Sequence, residues 1–219
     1  MGRSSQLRLG AVVLLGALLA SCVSATRKGD LLFIAAASGG GMDGAIVSAT
    51  GAGNAQAFVH VAIIDQAPDG SLWAIEATPS RGVSRHPLDT LLADNRLPDG
   101  TLPYMECRRL KPHFSADAAI SLATSRLGQP YDFYYLEDNA AVYCSELVYD
   151  SYLLPDGTHI FDTVPMNFKA DDGTFPPFWV DLFARLGRPI PQDAPGTNPQ
   201  QLSTQPVFAR TRIALPQRH

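Results

Sequence analysis

The stretch Val142-Tyr143-Cys144-Ser145-Glu146-Leu147-Val148-Tyr149-Asp150-Ser151-Tyr152 decides how the whole chain is read. Leu147, Val148 and Tyr152 recur at helical intervals, and Cys144 lies three and four positions before the first two, on the same apolar stripe. The spacing predicts a helix that opens at Cys144, runs to Leu154 and stops at Pro155-Asp156-Gly157. Cys144 therefore starts a helix and points inward. First-turn N–H groups have no partner inside a helix, and the helix dipole is positive there. Both favour the thiolate over a thiol that ordinarily ionises at about 8.5. The same N–H groups can donate to the oxyanion formed when a thiolate attacks a carbonyl. Cys144 is thus a candidate nucleophile.

Such a nucleophile needs a base and a group that orients the base. Phe58-Val59-His60-Val61-Ala62-Ile63-Ile64-Asp65 reads as a strand, apolar apart from His60 before its final Asp. Ser71-Leu72-Trp73-Ala74-Ile75-Glu76-Ala77 reads as the next strand, with Pro68-Asp69-Gly70 as the turn between them. In a hairpin His60 and Glu76 can lie side by side on one face. Glu is rarely buried without a partner. Here it would hold the imidazole by its second nitrogen and favour the charged ring. A purely structural hydrogen bond at His60 is the competing reading.

Around this centre the pattern runs from strands to helices. Gly29 to Ile34 is a buried strand entered by a tight turn that Asp30 ties down. Residues 35–57, with Gly39-Gly40-Gly41, read as a flexible loop covering a site; without GK[ST] or GxGxxG they carry little phosphate-binding signal. Val83 to Pro87 is a short strand, Pro87 to Asn95 a short helix, and Leu102 to Leu110 a strand holding Cys107. Ser115 caps a helix closed by Gly128, residues 129–143 are aromatic and irregular, and a third helix spans Pro177 to Leu186 before a Pro-rich tail. The fold class is α+β, an antiparallel sheet packed against helices.

The other polar and aromatic residues carry weaker signals. Tyr131 and Tyr143 flank the Cys144 helix and either donate to an oxyanion, line the pocket or pack in the core. Cys107 reads as a small core residue, with a Cys107–Cys144 disulfide as the alternative. Ser145 and Glu146 read as helix-start residues. Phe175, Phe178 and Trp179 line a groove or simply pack. His86, His113, His159 and His219 show no metal-ligand spacing, so no metal is expected.

Residues 1–21 read as a secretory signal: Arg3 and Arg8 form a basic start, and Leu9 to Leu19 is an apolar run too short to span a bilayer. It ends in Leu19-Ala20-Ser21-Cys22, which resembles the bacterial lipobox, so Cys22 is expected to carry lipid and become the N-terminus. Val23 after it resembles the pattern of outer-membrane sorting. Residues 22–28 are then a tether, and 29–219 the domain. The expected place is the cell envelope, at the outer membrane or periplasmic face in a two-membraned host. Loss of Arg3 and Arg8 takes the net charge from −4 to −6. An acidic chain without a Lys/Arg block is a poor nucleic-acid binder. With 46% apolar and 17% charged residues, the 219-residue chain can build a full core.

The strings GDLLF (29–33), HVAII (60–64), AIEAT (74–78) and above all YDFYYLED (131–138) with VYCSELVYDSY resemble the permuted papain-like amidases of the YiiX/YaeF type, in the NlpC-type superfamily. The resemblance covers roughly residues 28–215. It implies a circularly permuted papain-like fold, in which the strands precede the Cys helix. It implies Cys144 as nucleophile, His60 as base and Glu76 as orienting residue, with no cofactor. It implies a peptide or acyl-amide substrate, cell-wall peptide among the candidates. Lipid-directed acyltransferases or hydrolases like lecithin:retinol acyltransferase share the superfamily, and a non-catalytic envelope-binding lipoprotein could keep the fold; both alternatives stay open.

Metabolic labelling with a fatty-acid analogue tests the N-terminal reading. The wild type is expected to incorporate label, and Cys22→Ala is expected to incorporate none.

Overall fold

The computed structural model describes residues 24–37, 39–50, 57–111, 114–137, 139–211 and 213–215. The signal segment, Cys22, His113, His219 and residues 51–56 of the glycine-rich stretch lie outside the described residues. In chain order the elements are β1 (Ser24–Ala25), β2 (Leu31–Ala35), α1 (Gly41–Ala49), β3 (Phe58–Gln66), β4 (Leu72–Thr78), β5 (Gly82–Pro87), α2 (Leu88–Asp94), β6 (Met105–Arg108), α3 (Ala116–Ser125), α4 (Cys144–Ser151), β7 (Val164–Pro165), α5 (Pro177–Leu186), β8 (Pro195–Gly196), α6 (Pro199–Thr204) and β9 (Ile213–Ala214).

Five strands form one sheet in the order β5-β4-β3-β2-β6. Every neighbouring pair is antiparallel. Both faces are covered, which is why the strands read as unbroken apolar runs. One face (Leu31, Phe33, Val61, Ile63, Ile75, Ala77) shares the larger core with Leu147, Val148 and Tyr152 of the α4 region and Trp179, Leu182 and Phe183 of α5. The other (Leu32, Ile34, Ala62, Ile64, Ala74) packs with Leu88 and Leu91 of α2 and with Cys107. The expected α+β class is the observed one.

Four local expectations are corrected. The stretch 35–57 holds a helix, α1, which starts at Gly41 and buries Ala45 and Ala49; two internal glycines and an uncapped start hid it. The β6 strand is only Met105–Arg108, because the ladder with β2 ends there. The Pro-rich tail contains α6, opened by the Asn198 side chain accepting from the Gln201 N–H, with Pro199 at its first position. The α4 helix ends at Ser151, slightly short of the expected Leu154.

The β3–β4 hairpin closes as expected: the Ala67 N–H donates to Ser71 O, and Gly70 takes φ 87°. At the β4–β5 turn Gly82 has φ 62°, and a Cβ there would collide with the carbonyl of Gln129. The Val83 N–H donates to that same carbonyl at 2.9 Å, so the hairpin is locked to the start of the irregular 129–143 segment. Only glycine meets both demands. Gly82→Ala is therefore expected to lower stability by about 1–3 kcal/mol. A urea titration checks this, with the midpoint falling while the slope stays constant.

Candidate active site

Helix α4 is fixed at both ends. Tyr143 precedes it in extended backbone (φ −98°, ψ 170°), and its N–H donates to Glu146 Oε2 at 3.2 Å. Its hydroxyl accepts from the Thr197 N–H at 3.1 Å, while Ser145 Oγ donates to Thr197 O at 3.2 Å. At the far end Tyr152 donates to Gly29 O at 3.1 Å, tying the helix to the turn before β2. Cys144 is the first helical residue and is 5% exposed, in the same core as Leu147 and Val148. The first-turn N–H groups of Cys144 and Ser145 have no partner within the helix.

The loop before α4 is organised by a residue that sequence reasoning passed over. Asp132 is fully buried. Its carboxylate accepts from the N–H groups of Tyr134 (2.7 Å) and Leu136 (3.0 Å) and from the Asn139 amide (3.0 Å). This is how an aromatic segment without regular structure holds one conformation.

In the sheet, Ile63 faces Ile75 and Ile64 faces Ala74. Continued, that register sets Glu76 opposite Ala62, and so diagonal to His60. Between β2 and β3 the ladder shifts: Ile34 faces His60, but Ala35 faces Phe58. Val59 is thus an extra residue beside His60, and bulges of this kind re-aim neighbouring side chains. His60 Nε2 lies 2.6 Å from Glu76 Oε2. Cys144 lines the same cleft and is near enough to act on the ring electrostatically. The side chains of His60 and Glu76 are 18% and 3% exposed.

Burial disfavours the imidazolium of His60, but bonds to Cys144 and Glu76 and their negative charge outweigh it and push the group up to about 10. Burial likewise opposes ionisation of Glu76, yet bonds from His60 and His86 hold it at about 2. The structure brings Cys144, His60 and Glu76 together around one cleft of about 720 Å³. Its walls mix charged groups (Asp43, Arg81, Asp94, Arg185) with apolar ones such as Met42, Ile46, Phe178 and Leu182. Met42, Asp43 and Ile46 come from α1, so the glycine-rich stretch does border the site, as a helix.

The other candidates separate. Tyr131 is buried and lines the cleft beside Cys144. The Tyr143 hydroxyl is spent on Thr197, which makes Tyr143 a support of the helix start. Cys107 and Cys144 are both free thiols, so the disulfide alternative falls away. Burial pushes Cys107 up to about 12, as a core residue. Asp30 takes the Arg27 N–H and both arms of Arg109, a turn-fixing role. His159 stacks on Tyr149 at 3.9 Å. Trp179 is core, whereas Phe178 reaches the cleft wall.

A second residue was missed. His86 Nε2 lies 2.9 Å from Glu76 Oε1. The signal was in the β4–β5 register, which pairs Glu76 with Ser84 and Ala74 with His86 and so puts His86 on the Glu76 face.

A buried thiol on a helix N-terminus, sharing a cleft with an imidazole held by a carboxylate on a neighbouring strand, is the arrangement of a papain-like cysteine hydrolase. The chain matches the family model of permuted papain-like amidase enzymes, YaeF/YiiX, over residues 25–210, and it belongs to that family. Among solved structures, its fold is similar to yiiX from Escherichia coli O157:H7, described as a metalloprotein. The TM-score is 0.62 at 22% identity, over 84% of this chain and 94% of that one. No curated protein matches the chain. Among the described residues no three His, Cys, Asp or Glu group to hold an ion, and His60 and His86 turn their facing nitrogens to Glu76.

The ion pair sets a pH window. Glu76, held at about 2, contributes stability that is present above its ordinary 4.5 and lost as pH falls through about 2. His60, held at about 10, contributes stability that is whole below its ordinary 6.5 and lost as pH rises through about 10. Both contributions are complete between those ordinary values. Glu76→Gln is expected to depress Tm most in that window, with the gap to wild type narrowing on either side. Thermal melts across the pH range measure it.

Proposed function

We propose that this chain is a lipid-anchored cysteine hydrolase that cleaves an amide bond. Cys144 is the nucleophile, His60 the proton carrier and Glu76 the group that orients His60. The observation that carries the proposal is the convergence of Cys144, at a helix N-terminus, and the bonded pair His60–Glu76 on one cleft.

The chemistry follows from that geometry. Cys144 Sγ attacks the substrate carbonyl carbon, and a C–S bond forms as the carbonyl opens to an oxyanion. The Cys144 and Ser145 N–H groups are the candidate donors to it, with the Tyr131 hydroxyl on the cleft wall. Collapse breaks the C–N bond while His60 gives its proton to the departing amine. Water then attacks the thioester, His60 takes a proton from it, and the C–S bond breaks to release the acid. No step calls on a cofactor.

The substrate proposed is a peptide amide, of the cell envelope. The mixed charged and apolar walls of the cleft suit such a chain. Partners are then the membrane, through Cys22, and the substrate, with no nucleic acid.

One observation favours the lipid-directed alternative: an aromatic recess beside Cys144, lined by Tyr131, Tyr135, Phe168 and Trp179. Its volume is about 40 Å³. Pockets that house ligands run to about 300–1,000 Å³, so an acyl chain does not fit it as it stands. A non-catalytic envelope-binding role is disfavoured by the free thiol and by the His60–Cys144 contact.

The test is incubation of the purified protein with peptidoglycan fragments and, separately, with phospholipids, read by mass spectrometry. Cleaved peptide and a transient acyl adduct on Cys144 are expected in the first arm, and neither in Cys144→Ala. Glu76→Gln is expected to lose less than the roughly 10,000-fold seen when a serine triad loses its carboxylate. Release of fatty acid from phospholipid instead would move the assignment to the lipid-directed class.

A further inference from the structure

Glu76 is almost wholly buried, yet it is not a simple dyad partner. Each of its oxygens meets a different imidazole: Oε2 meets His60 at 2.6 Å and Oε1 meets His86 at 2.9 Å. The other ring nitrogen of His86, Nδ1, lies 3.2 Å from the carbonyl of Pro87. A carbonyl oxygen and an ionised carboxylate only accept hydrogen bonds. Both nitrogens of His86 must therefore carry hydrogen, which makes the ring an imidazolium while Glu76 is ionised.

The fold holds His86 in this position. The β4–β5 ladder places it on the Glu76 face, and the glycine turn at Gly82 sets that ladder. Pro87, which supplies the carbonyl, directly precedes α2. The side chain of His86 is 12% exposed. It is absent from the cleft wall, whereas His60, Glu76 and Cys144 all reach it. Any effect of His86 on the chemistry thus passes through Glu76.

We propose that His86 is a positioning residue of the hydrolase, donating from Nε2 to Glu76 Oε1 so that Oε2 stays on His60; this rests on the reading of Cys144, His60 and Glu76 as the catalytic set. A carboxylate held by one oxygen alone can rotate about its last torsion. Held by both, it fixes the plane of the His60 ring and the line from that ring to Cys144. His86 also supplies the counter-charge that lets Glu76 stay ionised in a buried place. Its proton is favoured first by the bond to Glu76, against burial and the nearby Arg81. The remaining charges on the elements around it are accounted for. Arg81 pairs with Asp94 of α2, Arg85 of its own strand turns to Asp65 of β3, and Asp89 is the other acid of α2.

The consequence is a pH-linked positioning device. With rising pH the ring gives up one proton and its positive charge, so the bond from Nε2 to Oε1 is no longer charge-assisted and the hold on Glu76 weakens. Activity should fall on the alkaline side as His86 deprotonates.

The experiment compares His86→Ala and His86→Gln with wild type in the full-length protein. Outer-shell partners of this kind are typically worth about 10–100-fold. His86→Ala is expected to lower kcat by that factor with KM changed less than about twofold, because it removes no cleft contact. His86→Gln keeps a donor toward Oε1 and is expected to restore kcat to within about threefold of wild type. It carries no proton to lose, so its alkaline limb should shift away from that of wild type. If His86→Ala does not fold, the glutamine variant still tests the pH limb. Two readouts stand apart from turnover. Ring-nitrogen NMR should show His86 doubly protonated at neutral pH, and Glu76→Gln should return its titration toward the ordinary 6.5. The rate of Cys144 alkylation by iodoacetamide should fall in His86→Ala. An unchanged kcat, an unrescued glutamine variant, or a His86 that titrates normally in wild type would overturn the proposal. Absence of Cys144-dependent turnover in wild type, with the NMR signature intact, would instead fault the hydrolase reading and leave the His86–Glu76–His60 chain as a structural network.

Discussion

A buried carboxylate governs this molecule. Glu76 sits in the central part of the sheet with almost no contact with water, and an uncompensated charge there would cost several kcal/mol. Its hydrogen-bond partners among the described residues are the two imidazoles on the strands either side, His60 of β3 and His86 of β5. That requirement constrains three strands at once. A one-residue slip in either ladder would turn one of the imidazoles to the opposite face and strand the charge. The hairpin turns at Gly70 and Gly82 therefore act on the chemistry as well as on the fold, because they fix the registers that keep Glu76 paired.

The proposed nucleophile is held by an independent set of bonds. Cys144 owes its place to α4, and α4 is held by Tyr143 and Ser145 on Thr197, by Tyr152 on Gly29, and by the apolar stripe of Leu147 and Val148 against the sheet. The His60 ring is where the two systems meet. It takes the carboxylate on one nitrogen and faces the sulfur with the other side, at the point where the β2–β3 ladder shifts by a residue. A regular ladder fixes the strand, and the bulge frees the one side chain that has to cross to another element.

This division explains what was legible in the sequence. The helix start at Cys144, the β3–β4 hairpin and the buried Glu all rest on short-range pattern, and each is found where the residues put it. What escaped rests on longer-range facts. In α1, Gly41 and Gly44 weaken local propensity, and the helix exists because Ala45 and Ala49 find a core to pack on. Asp132 looks like any loop acid until the backbone folds round it. His86 lies outside any ligand motif, and its meaning appears only once β5 is set beside β4 in register. The Asn198-Pro199 pair was a readable helix start, overlooked in a Pro-rich tail.

The permuted order bears on the same point. The sheet strands come first in this chain, and the helix that opens at Cys144 follows them. Yet the bonds that fix the Cys144 helix to the rest run between elements distant in sequence: Tyr143 with Thr197, Ser145 with Thr197, Tyr152 with Gly29. None depends on which element is made first. The described chain ends also meet, since β1 pairs with β9 in parallel, and neighbouring ends are what permutation requires. What the order does demand is a connection that brings α4 back to the sheet in one conformation. Buried Asp132, with its backbone bonds to Tyr134 and Leu136, supplies it, just where Gln129 closes on the β4–β5 turn. The segment that delivers Cys144 is thus bonded to the hairpin that carries Glu76.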